Sequence, residues 1–240
     1  LDAAAEKIRL SKTLDLAASC SSDNAVVLLD DIYEPMLEKL KAQGGYLCNE
    51  EEKAALRSTL WDDELHINTA MVAQPPKKIA QMAGLSIPEG VNFFIVPEDG
   101  WGTAHPFSGE KLSVIMALYR ARDIDHAIEL TQNIQAYQGQ GHSCGIYSTS
   151  DANIMKLAEH TYTSRVMVNQ PQSASNSGNV WNGMRQTFSL GCGSWGGNGT
   201  NNNISWRDLI NETWVSMPLT EHKVIPSDDE LFGDVINQLG

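Results

Sequence analysis

The sequence predicts an α/β domain built on a largely parallel sheet. Three observations point that way. Short apolar runs alternate with amphipathic segments of helical spacing, as strand–helix–strand units require. Several helical segments carry start and stop residues at their ends. No internal repeat interrupts this order, and the loop-rich composition begins only after residue 169.

The elements follow in order. Residues 1–18 are Ala-rich, with Lys, Arg and Leu spaced for a helix. Residues 25–29, AVVLL, form a brief buried-strand pattern. DDIYEPMLEKLKAQGG opens with acids, carries apolar residues at helical spacing and stops at Gly44-Gly45. NEEEKAALRSTL is a further helix, with Asn49 as its N-cap and acids in its first turn. NFFIV (92–96) and SVIMAL (113–118) read as strands. DIDHAIELTQNIQAY is an amphipathic helix, GIYS a strand, DANIMKLAEHTY a helix and RVMVN a strand. QPQSASNSGNVWNG and GCGSWGGNGTNNN are rich in Gly, Asn and Ser and read as ordered loops. ISWRDLINETWVSM alternates enough to be a final strand, and an acidic tail follows.

Composition bounds the function. The 240 residues are enough for a large core in one domain or two. Net charge is −13, which argues against binding a phosphate backbone. No stretch is long and apolar enough to span a bilayer, and the start does not read as a signal peptide. Cys20, Cys48, Cys144 and Cys192 are scattered, without a C-x-x-C pair. That favours free thiols in a reducing, cytoplasmic setting over disulfides or a metal site. The three N-x-S/T sequons are read as chance. Residue 1 falls inside a helix and is not Met, so a piece of a longer protein is expected. There is no G-x-G-x-x-G after a strand and no phosphate-binding G-x-x-x-x-G-K-[ST].

Cys20 is the foremost chemical candidate. An isolated cysteine is more often a small buried residue. A reactive thiolate instead needs partial exposure, small neighbours and nearby backbone N–H groups, and ASCSSDN supplies the small neighbours. Cys192, flanked by glycines, is the rival for exposure. Among the histidines, His142 in GQGHSCGIYS stands at the mouth of a strand, where a side chain can enter a cleft. His105 begins another loop that enters a strand. Glu110 is a loop carboxylate just before a strand, at the edge where α/β folds keep their sites.

Five segments occur together and in order: SKTLDLAASCSSDN, HPFSGEKLSVIMALYRA, GQGHSCGIYS, RVMVNQPQ and SLGCGSWGGNGTNNNISWRDLIN. Together they resemble the C-terminal half of a CoA-acylating aldehyde dehydrogenase. SCSSDN and the later DDELFG look nearest to the acylating sulfoacetaldehyde type. The resemblance implies that Cys20 is the nucleophile, that His142 is a base for the incoming thiol, and that Glu110 holds the nicotinamide ribose. Leu112, beside Glu110, and Gly193, in the 191–197 entrance loop, are implied as further cofactor contacts. It also implies NAD or NADP as cofactor, coenzyme A as co-substrate, a small aldehyde as substrate, and no metal. Residues 1–170 would be the catalytic α/β region. Residues 171–240 would supply entrance loops, an oligomerisation strand over 204–215 and a tail, giving a homo-oligomer without nucleic-acid or membrane partners. Arg165 and Arg185 are the cations considered for an anionic substrate. The family's dinucleotide-binding region and an oxyanion-hole asparagine would both precede Leu1.

Overall fold

The computed structural model describes residues 1–221 and 223–239, so His222 and Gly240 lie outside the described residues. The chain packs as two compact units, Leu1–Asp208 and Leu209–Gly240. In chain order the first unit contains α1 (Asp2–Thr13), β1 (Ala25–Leu29), α2 (Tyr33–Ala42), β2 (Gly45–Leu47), α3 (Glu50–Leu60), α4 (Pro76–Ala83) and β3 (Phe93–Pro97). It continues through β4 (Ile115–Ala121), α5 (Ile124–Tyr137), β5 (Cys144–Ile146), α6 (Asp151–His160), β6 (Val166–Val168) and the short α7 (Gln172–Ser175).

Four strands form one sheet in the order β1-β4-β3-β2, and β5 and β6 form a second, two-stranded sheet. Every pairing is parallel, with Ala25 opposite Ala117, Phe94 opposite Ile115, Gly45 opposite Phe93 and Cys144 opposite Val166. The expected parallel α/β domain is therefore present. Its central strands β3 and β4 are continuous apolar runs because both of their faces are covered. Phe93 to Val96 and Val114 to Ala117 are all fully buried. The edge strand β1 is only half covered, with Leu28 its one buried residue.

Local chemistry explains the boundaries. Asn49 accepts from Glu52 N–H, while the Glu52 side chain accepts from Asn49 N–H, a complete capping box at the start of α3. Gly84 ends α4 in the left-handed conformation. Pro75 and Pro76 masked this helix in the sequence, although Pro76 sits where a first helical turn tolerates proline. The glycine stop after α2 runs straight into β2, a strand too short for a pattern to reveal.

The residues after 203 depart from expectation. No strand forms over 204–215; Trp206–Leu209 is a short 3-10 turn, and the following backbone is irregular. A strand needs a hydrogen-bonded neighbour, and none is offered within this segment. Trp214, Val215, Met217 and Leu219 are exposed instead. The acidic stretch read as a tail starts a helix, α8 (Asp228–Leu239), because acids favour a helix N-terminus.

Candidate active site

The turn that carries Cys20 is made by its serines. After α1 the residues Asp15, Leu16 and Ala17 have φ of 49°, 52° and 62°, a run of left-handed conformations that non-glycine residues adopt at a cost of about 1–3 kcal/mol each. This sharp reversal delivers the chain to a tight turn closed by Ser22 N–H donating to Ser19 O at 3.0 Å. Ser19 Oγ and Ser21 Oγ lie 2.9 Å apart, and Ser22 Oγ donates to Ser11 O in α1 at 3.4 Å. Cys20 occupies the second position of that turn and is exposed, whereas Ser21 and Ser22 are buried.

His142 reaches Cys20 from the other sheet. The β5–β6 pairing extends backwards: Gly141 N–H donates to Tyr162 O at 2.7 Å and Ser164 N–H to Gly141 O at 3.0 Å. This fixes the backbone on which His142 stands. Its Nε2 lies 3.1 Å from Cys20 Sγ, and its Nδ1 lies 2.9 Å from Ser143 Oγ. Gly141 has φ of +85°, and a Cβ there would collide with the Cys192 carbonyl oxygen and the Gly196 nitrogen. Gly141→Ala is expected to destabilise the protein by ~1–3 kcal/mol and to displace the 192–196 loop. Thermal melts and amide exchange across 189–203 check both effects.

Glu110 is held to the same rim through main-chain contacts. Gln138 Oε1 accepts from Glu110 N–H at 2.8 Å, and Asn24 Oδ1 accepts from Lys111 N–H at 3.2 Å. Asn24 O also accepts from Ala117 N–H, so one residue ties the Cys20 turn to the Glu110 loop and to β4. The buried Lys111 ammonium donates to Phe107 O and Gly109 O at 2.6 and 2.7 Å, which locks the loop before β4. The carboxyl of Glu110 has no hydrogen-bond donor among the described residues.

Cys20, Glu110, His142 and Cys192 all face one cleft of about 1410 Å³, whose apolar wall includes Val26 to Leu29 of the half-covered strand β1. Its electrostatics are those of a neutral pair. Burial pushes the Cys20 thiol up, and the Glu110 carboxylate adds to this; its own backbone N–H and Arg165 act the other way. Burial holds His142 below its ordinary value, with the Arg165 charge second. Burial also raises Glu110. An uncharged imidazole Nε2 within hydrogen-bond reach of a thiol can accept its proton, so the arrangement suits a cysteine nucleophile with a histidine base.

The structure brings together Cys20, His142 and Glu110 from three separate loops. It does not bring Leu112 or Gly193 to the cleft: Leu112, with φ of 44°, presents its carbonyl to Ala73 N–H, and Gly193 lines a separate small depression with Trp195 and Asn198. His105 lies off the cleft, with Nδ1 2.8 Å from the Glu98 carboxylate, which Lys53 also meets at 3.1 Å. Neither candidate arginine is among the residues that line the cleft. Arg165 is buried and donates to four protein acceptors, and Arg185 faces Ser205 and Asp208. Sequence reasoning missed Ser143, Gln138 and Asn24 as supports; the S-C pair after His142 was the one available signal, for Ser143. The location is also a correction. Cys20, Glu110 and His142 stand before the starts of β1, β4 and β5, so they occupy the amino ends of the strands and not the carboxyl ends that open α/β sheets commonly use.

A cysteine–histidine pair on a parallel α/β frame is an arrangement suited to nucleophilic chemistry at sulfur. Comparison with known proteins shows what the chain is similar to. The chain is 39% identical over 242 residues to an acylating sulfoacetaldehyde dehydrogenase of Cupriavidus necator, covering 100% of this chain and 48% of that protein. It is 36% identical to the acylating sulfoacetaldehyde dehydrogenase of Bilophila wadsworthia, covering 99% of this chain and 52% of that protein. Among solved structures, an acetylating aldehyde dehydrogenase of Geobacillus thermoglucosidasius superposes with a TM-score of 0.88 at 32% identity, over 93% of this chain and 49% of that one. No protein-family model matches the chain. The chain is a relative of the acylating aldehyde dehydrogenases in sequence and fold, and it spans about half the length of the curated relatives it matches.

Proposed function

We propose that this chain is the thioester-forming portion of an NAD(P)-dependent, CoA-acylating aldehyde dehydrogenase that oxidises a small aldehyde, sulfoacetaldehyde first, to its acyl-CoA. The observation that carries this reading is the 3.1 Å contact between Cys20 Sγ and His142 Nε2 at the floor of an open cleft. The Cys20 thiol gives its proton to His142 Nε2 as sulfur attacks the aldehyde carbon, leaving the oxyanion of a thiohemiacetal on Cys20; His142 then releases that proton to solvent and is neutral again for the second half-reaction. NAD(P) supplies the acceptor for the hydride that converts this adduct to a thioester. Glu110, with no donor to its carboxyl among the described residues, is suited to accept hydrogen bonds from a ribose at the rim. Leu112 and Gly193, being off the cleft, could serve a cofactor only through backbone outside it. Coenzyme A is the second substrate. His142 takes the proton of its thiol, the new sulfur–carbon bond forms, and the Cys20 thiolate leaves and is reprotonated. A thiolate is both a strong nucleophile and a good leaving group, which is why sulfur suits both half-reactions.

The four free cysteines support a reducing, cytoplasmic setting, and the exposed apolar side chains of the second unit support a homo-oligomer. Among the described residues no helix is long and apolar enough to cross a membrane. Comparing kcat/KM for sulfoacetaldehyde, succinate semialdehyde and acetaldehyde tests the substrate. Two of the relatives are named for sulfoacetaldehyde, so a preference of about tenfold or more for it is expected, within the range by which sites discriminate related substrates; equal values assign the same chemistry to a different aldehyde. A second reading, an oligomerisation piece without catalysis, is favoured by the half-length match alone. Mass spectrometry after aldehyde and NAD+ without coenzyme A separates the two: an acyl adduct on Cys20 marks the enzyme, and folded chain without adduct marks the oligomerisation piece.

A further inference from the structure

We propose that Arg165 is the positioning residue of the Cys20–His142 pair: its guanidinium clamps the His142 backbone to the glycine-rich loop 191–203 and sets a fixed positive charge against the His142 carbonyl. This rests on the reading of Cys20 and His142 as nucleophile and base, and it adds how that pair is held and tuned.

The geometry is that of a four-way tie. Arg165 immediately precedes β6, and its carbonyl accepts from Cys144 N–H, so its backbone belongs to the ladder that supports His142. Its side chain returns to the same place from the opposite side. Nη2 donates to His142 O at 3.3 Å and to Gly191 O at 2.7 Å. Nη1 donates to Asn201 O and Asn203 Oδ1, each at 3.3 Å. Asn203 in turn donates to Asn176 O and Arg185 O, which anchors the far end of the tie. A planar guanidinium can span such divergent acceptors, whereas an ammonium is a single point and cannot. The loop it holds carries Cys192, and Gly141 lets that loop lie against the residue before His142.

The second element is the charge itself. Arg165 is 5% exposed, so water screens it little. The titratable and charged groups on the elements around His142 are Cys20 from the serine turn, Glu110 from the loop before β4, Cys192 from the glycine-rich loop, and Arg165. Arg165 is the one cation in this set. It disfavours a protonated His142, which keeps the imidazole unprotonated and available as a base at neutral pH, and it favours a Cys20 thiolate, which eases loss of the thiol proton.

Arg165→Gln and Arg165→Lys test the proposal on the whole chain, with the His142 midpoint by NMR, amide exchange over 189–203 and iodoacetamide labelling of Cys20. Arg165→Gln is expected to raise the His142 midpoint by about half to one pH unit, because a nearby charge is lost. Cys20 labelling at the wild-type midpoint should fall roughly 2- to 5-fold by the same shift. Arg165→Lys should keep the midpoint but lose about tenfold of the amide protection, since it restores charge without the tie. An unmoved midpoint in folded Arg165→Gln, or full protection in Arg165→Lys, overturns the proposal. If Arg165→Gln does not fold, Arg165→Lys decides alone: a held midpoint with lost protection supports the proposal, and any other pair of results overturns it. Wild-type labelling that favours Cys192 over Cys20 would sink the nucleophile reading instead, while the His142 titration still decides the role of Arg165.

Discussion

Cys20→Ala is expected to remove acyl-adduct formation by at least about 10⁴-fold while leaving the melting temperature nearly unchanged. The size follows from deleting the only atom that can carry the acyl group in the proposed reaction. The unchanged stability follows from position: Cys20 is exposed at the second position of a tight turn held by Ser19, Ser21, Ser22 and Ser11, and alanine can occupy that place. Surface substitutions of this kind usually lie within about 0.5 kcal/mol of wild type. Cys144→Ala is the contrasting control. Cys144 is buried, its Sγ 3.6 Å from the hydroxyls of Thr161 and Thr163, so its loss should lower stability and leave Cys20 acylation intact. Mass spectrometry of the adduct, with thermal melts on the same samples, checks both variants. Loss of adduct with a parallel loss of fold would make Cys20 a structural residue.

His142→Ala should slow the reaction of Cys20 by about 10²–10⁴-fold at neutral pH, the usual worth of a positioned general base. The pH dependence gives the sign. His142 titrates below the ordinary histidine value of about 6.5, so the reactive pair, a neutral imidazole facing a thiol, is already formed at neutral pH. Reactivity should fall only as the pH drops through that lowered midpoint and Nε2 becomes protonated. Because burial and Glu110 raise the Cys20 thiol, a second rise should come at alkaline pH as the thiol ionises by itself. In His142→Ala the acidic step should vanish and the alkaline step remain. A profile of unchanged shape would show that His142 takes no part in activating sulfur.

Both expectations rest on features that a linear sequence shows unevenly. β3 and β4 were legible because parallel strands covered on both faces are continuous apolar runs, and α3 was legible through its Asn49 cap. Cys20 could be singled out by its small neighbours, and family-like motifs paired it with His142 and Glu110. What remained hidden depends on three-dimensional closure. The amino-end location arises only once Asn24 joins the Cys20 turn to the Glu110 loop across β1 and β4. Arg165 reads as an ordinary strand-edge cation until its side chain is seen returning to His142 O and Gly191 O. Leu112 neighbours Glu110 by only two residues, yet its left-handed backbone sends it elsewhere. The segment 204–215 is not a strand within the single chain, since alternation can mark a segment ready to pair but cannot supply its partner.

The most direct test of the central claim needs no nicotinamide cofactor, because the thiol-exchange half-reaction runs on the chain and an acyl-CoA alone. The folded 240-residue chain is incubated with acetyl-CoA at neutral pH, and the modified residue is identified by mass spectrometry. The expected result is one acetyl group on Cys20, with release of coenzyme A, absent in Cys20→Ala and slowed in His142→Ala. Acetylation distributed equally over Cys20 and Cys192, or a folded chain that stays unmodified, would contradict it.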